Sequence, residues 1–195
     1  MSRFEFFIHG LTLHNDNDSI SLSLAEYIDI TQLNTEQKAK DGFTLKYDSL
    51  IPASYNQILF TVGLPDDINS TTPDQYSTQS PLGLVSNYWA GWNSYILSKL
   101  EGNTTRNDTT TGSFLIHSGV NGMSVVRSFD LPVEIVINEQ TDLIFNLAID
   151  SLFYSFNNVI NVDTSNMSHS GSPGSEAYNI AKKSLSNIAN AILPN

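Results

Sequence analysis

Four histidines and two tryptophans are the residues of this chain whose types could support metal or redox chemistry. There is no cysteine, which excludes thiolate metal sites, disulfide frameworks and cysteine nucleophiles. Imidazole is a natural ligand for transition metals when cysteine is missing. No two histidines stand in a short His-x-His or His-x3-His pair, so the fold must assemble any site. The candidates are His9, His14, His117, His169, Trp89 and Trp92.

The local sequence gives each of the four histidines a structural alternative to metal ligation. His117 ends an alternating stretch, so the alternative to metal ligation is a half-buried sheet residue bonded to backbone. His169 lies in a predicted loop just before a helix, where Met167 would be a soft donor for Cu(I). His9 interrupts an apolar strand, and His14 opens a polar turn where a surface role is expected. From spacing alone, the signal for a metal site is weak.

The sequence gives little support for catalysis. A Gly-x-Ser-x-Gly nucleophile motif and a phosphate-binding glycine loop are both absent. The adjacent carboxylates of Asp66 and Asp67 do not set the spacing that a glycosidase needs. A glycan hydrolase would rest only on the aromatic segment around Trp89 and Trp92, which is otherwise expected to anchor a core or its rim. We therefore predict a protein that is not an enzyme.

Composition narrows the class of protein. The net charge is −11, with nine Lys and Arg against twenty Asp and Glu, and no basic cluster is present. Nucleic-acid binding is therefore not expected, because it needs a basic face. No apolar run approaches the ~20 residues of a membrane span, and no signal peptide is recognisable. The richness in Ser, Thr and Asn is typical of an exported β protein, and 195 residues predict a single domain over residues 1–195.

Alternation with period two dominates the chain and predicts an all-β antiparallel sandwich. A stripe containing Ala181, Leu185 and Ile188 at helical spacing predicts a C-terminal amphipathic helix packed on a sheet, capped by Ser172-Pro173. Residues 87–99 are compatible with a helix, a turn or a strand. Residues 66–87 and 102–112 read as long loops. The predicted strands are residues 4–13, 20–30, 43–47, 57–63, 113–117, 124–130, 132–138 and 142–149.

The order of several short motifs resembles that of MbnP-like proteins. These are the methanobactin-associated, copper-binding periplasmic proteins and their relatives in bacterial envelopes. The family's first strand has no counterpart here. The matching segments are residues 4–13, residues 55–65 with Asn69, Pro81-Leu82, Trp89 and Trp92 with Tyr95, Lys99-Leu100-Glu101-Gly102, residues 114–119 and residues 148–153.

The resemblance implies a β-sandwich that works outside the cytoplasm, in the periplasm or exposed on the cell envelope. A lipid anchor, if there is one, would lie outside this chain. In the best-studied relatives, histidines and an oxidised tryptophan bind copper, and a di-haem peroxidase-like protein is sometimes the partner. Carried over, His117 matches the family's strand histidine and is the leading candidate ligand, followed by His169 and then His9. Trp89 or Trp92 is the candidate for a modified or redox-active indole.

Two departures from the family pattern keep an alternative open. The family often has Asn-His where this chain has Asn69-Ser70, which removes one potential ligand. The tryptophan segment also has Gly91 inserted and lacks the glycine before Tyr95. These departures favour an envelope interaction module that kept the fold and lost the metal.

Overall fold

The structure is a computed structural model that describes residues 1–105, 111–155 and 158–195. Its helices are α1 (Glu36–Asp41), α2 (Asp66–Asn69) and α3 (Glu176–Ala191). Its strands are β1 (Arg3–His14), β2 (Ser19–Asp29), β3 (Ala53–Val62), β4 (Tyr88–Trp89), β5 (Ser94–Tyr95), β6 (Ser98–Thr105), β7 (Thr111–Ser118), β8 (Val125–Ile135), β9 (Phe145–Leu147), β10 (Tyr154–Ser155), β11 (Asn158–Val159), β12 (Met167–His169) and β13 (Ile192–Pro194). Single 3-10 turns are Pro73–Gln75, Pro81–Gly83, Val85–Asn87 and Ile149–Leu152.

The main sheet branches at β1. Strand β2 pairs along one edge of β1, while the other edge pairs first with β6 and then with β3. One branch continues from β6 to β7 and β12, and the other continues from β3 to β8. The described pairings are antiparallel except that of β7 with β12, which is parallel. Gly10 has a φ of 63° within the register shift between His9 and Thr12 in the pairing of β1 with β3, a conformation that glycine adopts without strain.

Helix α3 contacts strands of both branches, namely β7 and β12 on one side and β3 and β8 on the other. The predicted stripe is buried, with Ala181, Leu185 and Ile188 each fully inside. The predicted cap was wrong. Gly174 has a φ of 86°, so the chain turns after Pro173, and Ser175 caps the helix by accepting a hydrogen bond from the Tyr178 backbone. Among the described residues, no helix is long and apolar enough to cross a membrane.

The opposite face of the β6–β7 branch is covered by the segment between β3 and β6. Tyr95 packs edge-on against Phe7 of β1, and its hydroxyl donates to the Leu82 carbonyl. The segment predicted as a long loop is therefore ordered by α2 and short 3-10 turns. The tryptophan stretch, left open between helix, turn and strand, forms a small hairpin in which β4 pairs with β5.

The predicted fold class is confirmed, since strands dominate and an amphipathic C-terminal helix packs on them. The strand predicted at residues 43–47 was wrong, because that segment pairs with no described strand. The predicted strands 124–130 and 132–138 are parts of the single strand β8. In the predicted loop 102–112, β6 extends to Thr105 and β7 begins at Thr111, while residues 106–110 lie outside the described part of the chain.

Candidate metal centre

A row of polar residues crosses four strands of one branch. Glu5 of β1 pairs with Lys99 of β6, which pairs with His117 of β7, which pairs with His169 of β12. Directly paired residues point to the same face of a sheet. The row therefore puts both histidines on one face, beside a buried ion pair.

That face is the one turned away from helix α3. Ser118 and Ser168, each one residue from a histidine of the row, donate their hydroxyl groups to backbone carbonyls of α3. Since successive strand residues alternate between faces, His117 and His169 project from the other side. The tryptophan hairpin lies on that same side.

The two histidine rings are neighbours. Their centroids are 5.2 Å apart and their planes are tilted by 35°. His117 is 8% exposed, whereas His169 lies at the surface. Neighbouring parallel strands thus present one buried and one accessible imidazole, an arrangement that fits a shared ion reached from solvent.

Both tryptophans pack against His169. The ring centroids of Trp89 and Trp92 lie 6.2 Å and 6.3 Å from that of His169, with planes almost perpendicular to the imidazole. The two indoles are 5.6 Å apart. Trp92 lies directly over Gly119, where an added Cβ would come within 2.3 Å of the Trp92 ring. Trp89 is 43% exposed, so the aromatic cluster is open to solvent on its outer side.

Asn69 fixes the tryptophan hairpin to the sheet. Its fully buried amide donates to the Gly119 carbonyl at 2.7 Å and accepts from the Tyr95 backbone N–H at 3.0 Å. The side chain therefore joins the end of β7 to the end of the hairpin. The sequence marked Asn69 only as part of a motif, because nothing local shows which backbone groups its amide will meet.

Glu101 contacts His117 and was also missed as a site residue. Its Oε1 lies 2.8 Å from His117 Nε2. The other ring nitrogen, Nδ1, is buried and has no hydrogen-bond partner among the described residues. Burial lowers the pKa of His117, and the Glu101 hydrogen bond and charge oppose that shift only in part. His117 is therefore neutral at neutral pH, which is the form that binds a metal.

An ion-pair network lies behind Glu101. Arg3 approaches Glu101 at 3.7 Å and bonds Glu5 at 2.8 Å. Lys99 Nζ and the Tyr27 hydroxyl also bond Glu5, at 3.0 Å and 2.6 Å. Burial alone would raise the pKa of Glu5, but the hydrogen bonds from Arg3, Tyr27 and Lys99 outweigh it and the pKa is lowered. The Glu5 carboxylate, in the same row as the two histidines, is thus held in its ionised form.

The remaining histidines lie elsewhere. His9 pairs with Thr61 and Ala25, and no ring contact joins it to His117 or His169 in the described chain. Burial lowers its pKa, against the influence of Asp67. His14 is bonded to Thr12 at 2.8 Å. The structure therefore brings together His117, His169, Trp89 and Trp92, but leaves His9 apart. Over residues 1–105, 111–155 and 158–195, no three His, Cys, Asp or Glu side chains form a group that could hold a metal.

Comparison with known proteins bears on the family. No curated protein and no solved structure matches the chain. A family model, described as MbnP, matches residues 1–172, which is most of the 195 residues. The predicted relationship is therefore confirmed, and this chain belongs to the MbnP family.

Proposed function

We propose that this protein binds a copper ion between His117 and His169, and that it does so outside the cytoplasm as a binding protein and not as an enzyme. The observation that carries the proposal is the pair of imidazoles 5.2 Å apart on neighbouring strands. Nδ1 of His117 supports it, because this buried atom has no hydrogen-bond partner among the described residues and a bound ion would offset the cost of burying it.

The chemistry of the surroundings favours copper, and Cu(I) in particular. Structural Zn²⁺ is almost always held by four ligands, whereas this centre offers two imidazoles and two indole faces. Indole faces attract cations. Imidazole suits copper, and Cu(II) stands at the top of the affinity order of the divalent first-row metals. The nitrogen donors present therefore fit a copper ion that accepts few ligands.

A modified tryptophan would complete the centre. The indole N–H is a donor only, so an unmodified tryptophan supplies no lone pair to a metal. The oxidised tryptophan of well-studied relatives would supply one. We propose Trp89 as the residue to be oxidised, because it is 43% exposed and contacts His169. A di-haem peroxidase-like protein, as in some relatives, would be the oxidising partner.

The first test measures bound metal and intact mass on protein purified from its native envelope. Bound copper in stoichiometric amount supports the proposal, and a mass increase mapped to Trp89 supports the modification. Metal-free, unmodified protein that also fails to take up Cu(I) would contradict both.

Variants then locate the site by anaerobic competition with a chromogenic Cu(I) chelator. His117→Ala and His169→Ala should each weaken binding by about 100-fold or more, since outer-shell residues alone typically contribute 10–100-fold. His14→Ala is the matched control, because His14 lies outside the cluster and its ring is bonded to Thr12. If the His14 variant loses copper as strongly as the other two, the assignment of the site to His117 and His169 is wrong.

A surface beside the site supports a second candidate, the interaction module. Leu84 and Val85 are 42% and 75% exposed and precede the exposed Trp89, while Met167 is 68% exposed on β12. Trp89 contacts His169, which lies two residues after Met167, so exposed apolar side chains flank the site on both segments, as is typical of a protein-binding surface. Unchanged binding of an envelope partner by a His117→Ala, His169→Ala double variant would favour this function over metal binding.

A further inference from the structure

The two ring nitrogens of His117 have different surroundings. Nε2 lies 2.8 Å from Glu101 Oε1, within hydrogen-bonding distance. Nδ1 is buried and has no partner among the described residues. A carboxylate only accepts hydrogen bonds, so in the neutral ring the proton must lie on Nε2 and the lone pair on Nδ1.

We propose that Glu101 is a positioning residue that holds His117 in the Nε2–H tautomer and so makes Nδ1 the atom that binds the metal. The identity of the metal-binding atom rests on the proposed function, whereas the tautomer is a property of the metal-free protein. Metal-ligating histidines commonly donate their other N–H to a carboxylate, which fixes the ring and strengthens the ligand.

The network behind Glu101 keeps its carboxylate in place. Glu101 pairs with Arg3 across β6 and β1, and the guanidinium lies 3.7 Å from Oε1. Arg3 in turn is bonded to Glu5, which also forms an ion pair with the buried Lys99. Charges of alternating sign therefore run from Lys99 through Glu5 and Arg3 to Glu101. The hydrogen bond to Nε2 is thus one end of a structure that spans two strands.

The position of Glu101 also explains why it acts on His117 and not on His169. Lys99 pairs directly with His117, and Glu101 pairs with Leu115, one row further along the same face. The Glu101 side chain reaches diagonally across to the buried ring. His169 lies on the far side of β7, beyond the reach of this carboxylate in the described contacts.

The test is a long-range ¹H–¹⁵N spectrum of the full-length, metal-free chain at neutral pH, with the His117 signals assigned by comparison with His117→Ala. The wild type should show Nε2 protonated and Nδ1 bare. Glu101→Ala should shift the ring towards a mixture of tautomers, and Glu101→Gln provides a variant of the same size should the alanine variant not fold. Glu134→Ala is the matched control, since it removes an equally charged but exposed side chain on the edge strand β8.

Adding Cu(I) then separates the inference from the proposed function. The largest change in nitrogen shift should be at His117 Nδ1, and Glu101→Ala should weaken Cu(I) binding by about 10–100-fold. Copper bound through Nε2, an Nδ1–H tautomer in the wild type, or an unchanged tautomer in both Glu101 variants would overturn the inference alone. If Cu(I) does not bind to the wild type, the proposed function fails with the ligand assignment, while the metal-free spectra still decide the role of Glu101.

Discussion

Replacing Gly119 by alanine should push Trp92 off the sheet. An alanine Cβ would come within 2.3 Å of two Trp92 ring atoms and 3.1 Å of the Tyr95 carbonyl oxygen. Carbon atoms in ordinary contact are separated by about 3.5–4.0 Å, so the indole would have to retreat by more than about 1 Å. Its contacts with Trp89 and His169 would then loosen.

The expected cost to the free energy of unfolding is about 2 kcal/mol, within the range typical of an added methyl group in a packed site. Trp92 is only partly buried and can move outwards, which keeps the cost below that of a rigid core. Urea unfolding measures the change. The midpoint should fall, while the slope of the free energy of unfolding against urea concentration should stay the same. The fluorescence spectrum should change as well, because the two indoles separate.

A double-mutant cycle decides whether the clash is the cause. In a Trp92→Ala background the ring is gone, so Gly119→Ala should cost almost nothing. A wild-type unfolding midpoint for Gly119→Ala, or an equal loss of stability in the Trp92→Ala background, would refute the close approach as the explanation.

Three further predictions concern buried polar groups and are all measured by urea unfolding. Lys99→Met should cost about 3 kcal/mol, because it leaves Glu5 buried with fewer partners, and adding Glu5→Gln should restore part of the loss. The pKa of the Glu5 carboxyl is lowered from 4.5 in the folded protein. The ionised carboxylate therefore contributes its full stability above about pH 4.5, and this stability is lost as the pH falls through the lowered pKa. The Glu5→Gln variant should not show this loss. Asn69→Ala should cost about 2–4 kcal/mol, since it leaves the Tyr95 N–H and the Gly119 carbonyl buried without their partner, whereas the exposed Asn56→Ala should cost under about 0.5 kcal/mol.

Local periodicity predicted most strands because alternation reports which side chains face a core. It failed at residues 43–47, where Leu45 and Tyr47 do pack against the core although the backbone pairs with no described strand. Alternation indicates which side chains are buried, but it does not indicate whether a neighbouring strand is available for backbone hydrogen bonds. At Pro132 the pattern predicted a break between two strands where the structure has one. The proline lies at the register shift between β3 and β8 on an edge strand, where a missing N–H is tolerated, so one strand continues through it.

The candidate site could be predicted only as a set of residue types. The sequence indicated His117 and His169 separately, but not that β12 would pair in parallel with β7 and bring their rings together. Glu101 was missed for the same reason, since its contact with His117 depends on the pairing of β6 with β7. Contacts between distant segments depend on register, and register is set by the whole sheet.

The parallel pairing of β7 and β12 has a consequence for the folding energetics of the chain between these two strands. An ion shared by His117 and His169 would act as a cross-link across about fifty residues of chain, much as a disulfide does. An unfolded chain would have to close that loop before both imidazoles could reach the ion, and the chain-entropy model sets this closure at about 4 kcal/mol. The ion would therefore bind the folded chain far more tightly than the unfolded one, and its occupancy would raise the unfolding temperature with metal concentration.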